Sequence, residues 1–203
     1  MSIVCRLGGF HLLMSFLGSI GSLMSGSGLE EVLEQLYATN VIVHIISGKA
    51  FARAVRGHLI VRAALQKIIM EELMEKGSVH LSDLKKLASI NSNNEVEDVS
   101  IIVEKVENAI KNWKKEMTEF RTANYWYQYV QYVSLENTFI RAERTGDWHL
   151  HLSSVKKMLN MFAATGHIHY AKSARLYLQQ MLELPVKYPS VYDAFVNKGY
   201  HSI

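Results

Sequence analysis

The clearest pattern along the chain is a helical spacing of apolar positions, broken at glycines and short polar stretches. Residues 7–24 are apolar on several sides, while Ser15, Gly18, Ser19 and Ser22 share one face. That spacing predicts a helix buried on several sides whose small-residue face admits a close neighbour. A second helix is expected from residue 29 to 37, with Glu30 and Glu31 in its first turn, where they suit the positive end of the helix dipole. Residues 39–46 (TNVIVHII) are β-branched and apolar, so a short strand and a helical turn fit alike. Ser47 is placed to cap a long helix over 49–75, with Phe51, Val55, Leu59, Leu65 and Ile69 on its apolar side and Gly77 at its close.

Ser82 is read as the cap of a short helix reaching Ala88. The run Asn91-Ser92-Asn93-Asn94 is the plainest loop signal. Val99, Ile102, Val103, Val106 and Ile110 then give a helical stripe opposite a charged face. The aromatic run from Tyr125 to Tyr132 extends a helix to Thr145. Gly146 closes that helix and Asp147 caps the next, which ends before Gly166; a further helix spans 167–184. Pro185 and Pro189 bound a short loop before a last helix reaching Lys198. The expectation is an all-α protein: an irregular bundle of about seven to nine helices in a single helical domain over 1–203, with a polar loop near 90–95.

Composition narrows the class. The chain is 49% hydrophobic and 20% charged, which excludes wholesale disorder. Only 2 prolines and 12 glycines disfavour a barrel or sandwich built on many tight turns. The one cysteine, Cys5, cannot form an internal disulfide and has no base context for a nucleophile. Zinc-finger spacings, Walker loops and dinucleotide fingerprints are missing from the sequence. Residues 7–29 carry no formal charge, but glycines and serines dilute the run too far for a membrane span or a good signal peptide. The expected compartment is intracellular, nuclear or cytoplasmic.

Charge is unevenly placed. Residues 141–203 carry 8 basic and 4 acidic side chains and five of the nine histidines. Lys49, Arg53 and Arg56 form a basic stripe on the long helix, and Lys156, Lys157, Lys172 and Arg175 form a second group; these seven are the candidate nucleic-acid contacts. Two His-x-His pairs, His149/His151 and His167/His169, converge on a metal only from extended backbone; on a helix they point about 160° apart. Glu143, Asp147, His149 and His169 are the side chains that a metal-dependent phosphoryl-transfer site would have to bring together.

Five strings carry a resemblance: Leu7-Gly8-Gly9-Phe10-His11-Leu12-Leu13-Met14, Gly26-Ser27-Gly28-Leu29, Ala52-Arg53-Ala54-Val55-Arg56-Gly57-His58, residues 141–152 (RAERTGDWHLHL) and residues 169–178 (HYAKSARLYL). In this order they resemble motifs of a large eukaryotic family of uncharacterised, mobile-element-linked proteins. That family's organisation is similar to RNase H-like transposases whose catalytic fold is interrupted by a helical insertion. Such nucleases hold two divalent ions with three carboxylates. Here no acidic residue precedes Leu7, and glycine stands near position 9 where one is expected. The resemblance therefore implies a fragment or domesticated remnant of a larger RNase H-like protein, mainly its helical part, with no catalytic residue, metal ligand or cofactor carried over. The function expected is a transposon-derived binding domain contacting DNA or protein. A phosphoryl-transfer enzyme and a structural self-association module are the alternatives.

Overall fold

The structure, a computed structural model, describes Val4, residues 6–89 and residues 96–199. The expected polar loop at 90–95 and Cys5 lie outside the described residues. Eleven helices are seen among the described residues and no strand, which makes the fold all-α: α1 (Gly9–Leu23), α2 (Leu29–Glu34), α3 (Thr39–Ile46), α4 (Phe51–Glu75), α5 (Leu81–Ala88), α6 (Val96–Met117), α7 (Arg121–Thr145), α8 (Trp148–Ala164), α9 (Ile168–Leu182), α10 (Leu184–Lys187) and α11 (Pro189–Asn197). Nine of them are eight residues or longer. Contacts divide the chain into two compact units, unit 1 comprising Met1–Val61 and Gln131–Ile203, and unit 2 comprising Arg62–Val130.

Unit 1 is built around α1 and the α8–α9 pair. Phe16, Leu17 and Ile20 of α1 are fully buried, and Phe16 meets Phe162 of α8 edge-on with ring centroids 6.1 Å apart. The small face of α1 lies against the end of α3. A β-carbon on Gly21 would stand 2.1 Å from the Ile46 carbonyl oxygen, and one on Gly18 would stand 3.1 Å from the Ser47 carbonyl oxygen. The apolar run at 39–46 is thus a helix, its Ile42 and Ile45 turned inward.

Three boundaries differ from those expected, each for a local reason. Ser47 ends α3 instead of capping α4. Gly48 follows at φ +73°, a left-handed conformation that glycine adopts without strain, and a β-carbon there would lie 2.3 Å from the Met14 carbonyl. The long helix accordingly starts at Phe51 and Lys49 stands in the link before it. In α5 the cap is His80, whose backbone N–H donates to the Asp83 carboxylate at 3.3 Å, and Ser82 lies inside the helix. Between the prolines the chain makes the single turn of α10, because proline at the first positions of a helix gives up only an N–H that has no helical partner.

Unit 2 is simpler. Leu73, Val79, Ala109 and Trp113 form its buried centre, with Ile69, Met70, Val106, Ile110 and Tyr127 packed around them. Trp113 tilts against Tyr127 at a centroid distance of 5.7 Å.

Candidate functional site

Four of the five motif strings converge in unit 1 on Glu143, near the C-terminal end of α7. Arg6, just before the first string, points a guanidinium nitrogen at both carboxylate oxygens, 2.7 Å from Oε1 and 2.5 Å from Oε2. His151, in the first turn of α8 and in the same string as Glu143, sets its Nδ1 2.7 Å from Oε1. The other ring nitrogen of His151, Nε2, lies 2.9 Å from the Tyr177 hydroxyl on α9. Gly9 is the reason that the carboxylate fits. A β-carbon there would fall 2.0 Å from Glu143 Oε2. Gly9 therefore serves a close approach to a charged group, whereas a β-carbon on Gly8 would meet nothing within 4 Å.

Electrostatics fixes the direction of these bonds. Burial pushes the Glu143 carboxyl upward, but hydrogen bonds from His151 and Arg6 outweigh it and hold the group down to about 2, so it is ionised and accepts. Burial pushes the Tyr177 phenol well above its ordinary range, so the hydroxyl keeps its proton. The ionised Glu143 accepts from His151 Nδ1–H, and in the neutral imidazole Nε2 is then an acceptor facing the Tyr177 hydroxyl. His151 is 0% exposed and stacks on Trp148 with ring planes 11° apart. An imidazole closed in this way has no face for a substrate; the relay clamps α7, α8, α9 and the segment around Arg6 together.

A cavity of about 290 Å³ borders the clamp, lined by Gly9, Phe10, Leu13, Phe51, Val55, Phe139, Ile140, Glu143 and Arg144. Phe10 and Phe51 pack at its wall, ring centroids 4.7 Å apart, although Phe10 is 54% exposed. Residues of the first and fourth strings, and Val55 of the third, meet here.

The groups proposed for phosphoryl transfer are dispersed. Asp147 caps α8, its carboxylate accepting from the Leu150 N–H at 2.9 Å. His149 and His169 are exposed on α8 and α9, and Glu143 faces Arg6 and His151. No three His, Cys, Asp or Glu side chains among the described residues are grouped to hold a metal ion. Of each His-x-His pair one member is exposed and the other is turned into the protein: His151 on α8 to the clamp, and His167, the residue before α9, to Ser19 and Thr165.

All seven candidate basic residues are exposed: Lys49, Arg53, Arg56, Lys156, Lys157, Lys172 and Arg175. With Lys49 off the helix, the expected three-residue stripe reduces to Arg53 and Arg56 on α4. Lys156 and Lys157 lie on α8, Lys172 and Arg175 on α9, and these two helices pack against each other. Arg6, His151 and Tyr177 were not legible as partners of Glu143. The available signal was the run of histidine, arginine and glutamate on both sides of a helix break, which places ionic groups next to a buried tryptophan.

No helix among the described residues is long and apolar enough to cross a membrane. A family model described as domain of unknown function (DUF8702) matches residues 1–203, and the chain belongs to that family. No curated protein and no solved structure matches it.

Proposed function

We propose that this member of the DUF8702 family is a helical binding domain, and that the basic surface of unit 1 meets the phosphate backbone of DNA. The observation that carries the reading is a division of labour among charged groups. Unit 1 holds 12 lysines and arginines against 8 acidic residues, whereas unit 2 holds 10 against 11. Of the acidic residues in unit 1, Glu136 is buried and Glu143 is bound by Arg6 and His151. The seven basic side chains are left facing solvent. Glu143 and His151 are turned inward and bound to each other while the seven cations are turned outward, which suits binding better than catalysis. The resemblance of the motif strings to those of mobile-element-linked proteins is in keeping with a DNA partner and with descent from a transposase's helical part.

Duplex DNA affinity measured against salt concentration tests this. The expected result is a linear fall of log K with log salt, with a shallower slope in the Lys157→Ala, Arg175→Ala double variant. A slope near zero, or no binding at low ionic strength, overturns the DNA reading.

Self-association is favoured by a separate observation. Ile168, Leu176 and Leu182 of α9 and Val186 of α10 are 55%, 57%, 71% and 87% exposed, which is a large apolar share for one solvent-facing segment. Sedimentation of the wild type and of Leu176→Glu tests it, with dissociation of the variant as the expected outcome.

A further inference from the structure

His167 has its protonation pattern written into its neighbours. Its Nδ1 lies 3.1 Å from Ser19 Oγ and 3.1 Å from Thr165 Oγ1. Each hydroxyl has one proton, and both protons are already placed. Ser19 Oγ donates to the Ser15 carbonyl at 3.0 Å, and Thr165 Oγ1 donates to the Met161 carbonyl at 2.8 Å. With the hydroxyl protons so placed, both oxygens face Nδ1 as acceptors, and this arrangement assigns the ring hydrogen to Nδ1. In the neutral imidazole Nε2 is then the nitrogen with a lone pair.

That nitrogen borders a cavity. It lies beside Gly18, 3.5 Å from where a β-carbon of that residue would stand, and His167 lines a cavity of about 430 Å³. The volume is within the range of small-molecule sites. Ile42, Val43 and Ile46 of α3 give it an apolar wall, and Ser22, Ser47 and Glu30 give it polar groups. None of its described lining residues is a lysine or an arginine. An acceptor nitrogen, a carboxylate and an apolar wall, with no cation among them, select a ligand that brings its own positive charge and its own N–H donors.

We propose that this cavity binds a small primary amine with a short apolar body. The ammonium group donates to His167 Nε2 and pairs with Glu30, and the apolar body lies on Ile42, Val43 and Ile46. Gly18 is left without a side chain where the ring meets the cavity. The clamp at Glu143 and the basic surface take no part, so this site stands apart from the DNA reading.

The test titrates the full chain with phenethylamine, and with 3-phenylpropionate as a probe of similar size and opposite charge, at mildly alkaline pH where an imidazole is neutral. Saturable binding of the amine and not of the acid is expected, with Glu30→Gln weakening it by about tenfold or more. Glu30 is only half-buried on α2, so this variant keeps the fold, and His169→Ala, outside the lining, leaves affinity unchanged. Nitrogen NMR of the free protein should show His167 protonated at Nδ1, with Nε2 the signal that moves on adding amine. Equal binding of both probes, no saturable binding of the amine, an unaffected Glu30→Gln variant, or a proton on Nε2 in the free protein would each overturn the proposal.

Discussion

The two units hold themselves together in different ways. In unit 1 ionic and polar side chains are drawn inside and joined over long stretches of sequence: Arg6 to Glu143, Glu143 to His151, His151 to Tyr177, and Ser19 to His167. Helices there come close enough that Gly9, Gly21 and Gly48 have no space for a β-carbon. In unit 2 the centre is apolar and the ion pairs sit on the outside, as with Lys76 between Glu72 and Glu116 and Lys105 beside Asp83. Lost contacts in an apolar centre scale with volume and are spread over many neighbours. A buried polar link fails as a whole when one partner is removed, because the group left behind is desolvated and unmatched. Unit 1 should therefore be the brittle part and unit 2 the tolerant one.

The sharpest way to break that contrast is steric. Gly21→Ala puts a methyl group 2.1 Å from a backbone carbonyl that cannot rotate away. A cost of about 3 kcal/mol or more is expected from overpacking, against a helix-propensity gain of up to about 1 kcal/mol. Gly18→Leu acts in the same direction on the same face. Denaturant unfolding of both variants measures this, and a wild-type midpoint in Gly21→Ala would mean that α1 and α3 do not touch as described.

A comparable effect should appear with pH. Burial lowers His58 from 6.5 to about 4, so the folded protein holds it neutral where the unfolded chain takes up a proton. Stability from this residue is complete above pH 6.5 and is lost as pH falls to about 4, by about 3 kcal/mol in all. Glu143, depressed from 4.5 to about 2, adds a second limb in the same direction: its contribution is present above 4.5 and disappears as pH falls toward 2. Unfolding free energies of wild type and His58→Leu between neutral and mildly acid pH separate the two limbs. An unchanged slope in the variant counts against the first.

Tyr177→Phe is milder. It keeps the ring in place and removes the hydroxyl that bonds His151 Nε2 and Arg6, leaving buried polar atoms unmatched at a cost of about 2 kcal/mol. A variant as stable as wild type would show that the relay is not closed at this end.

These contrasts also explain what could be read from the sequence. Helix periodicity is a local property, so α6, where Ile102 of the expected stripe is buried and Val106 and Ile110 pack beside the centre while Val103 faces out, and the capped start of α8 at Asp147 were legible. The small face of α1 was legible too, because Gly18 and its neighbours are close in the chain. Its partner was not. Ile46 and Ser47 meet it only because Gly48 turns left-handed, and that turn also moved the start of α4 past Lys49. The site was less visible still, because the pairing of Arg6 with Glu143 spans 137 residues and no spacing rule connects them. His151 was visible as half of a pair, but the pair was the wrong unit: one histidine of each pair serves the interior and the other faces water.

The smallest effect belongs to unit 2 and sharpens the comparison from its tolerant side. Trp113 donates its indole N–H to the Glu72 carboxylate at 2.8 Å, and this bond is the first cause holding the Glu72 carboxyl below its usual range. Glu72 is not left alone when the bond is removed, because the Lys76 ammonium stands 2.9 Å away and solvent reaches both. Trp113→Phe keeps an aromatic ring against Tyr127 and the surrounding aliphatic side chains, giving up the hydrogen bond and part of the packed area. The desolvation penalty that makes Tyr177→Phe costly is absent, so the loss should be about 1 kcal/mol. Added salt should raise it, because screening weakens the Lys76 pairing left to Glu72. Unfolding of this variant at low and high ionic strength gives the number. A loss equal to that of Tyr177→Phe, unaffected by salt, would mean that unit 2 depends on a buried polar link as unit 1 does.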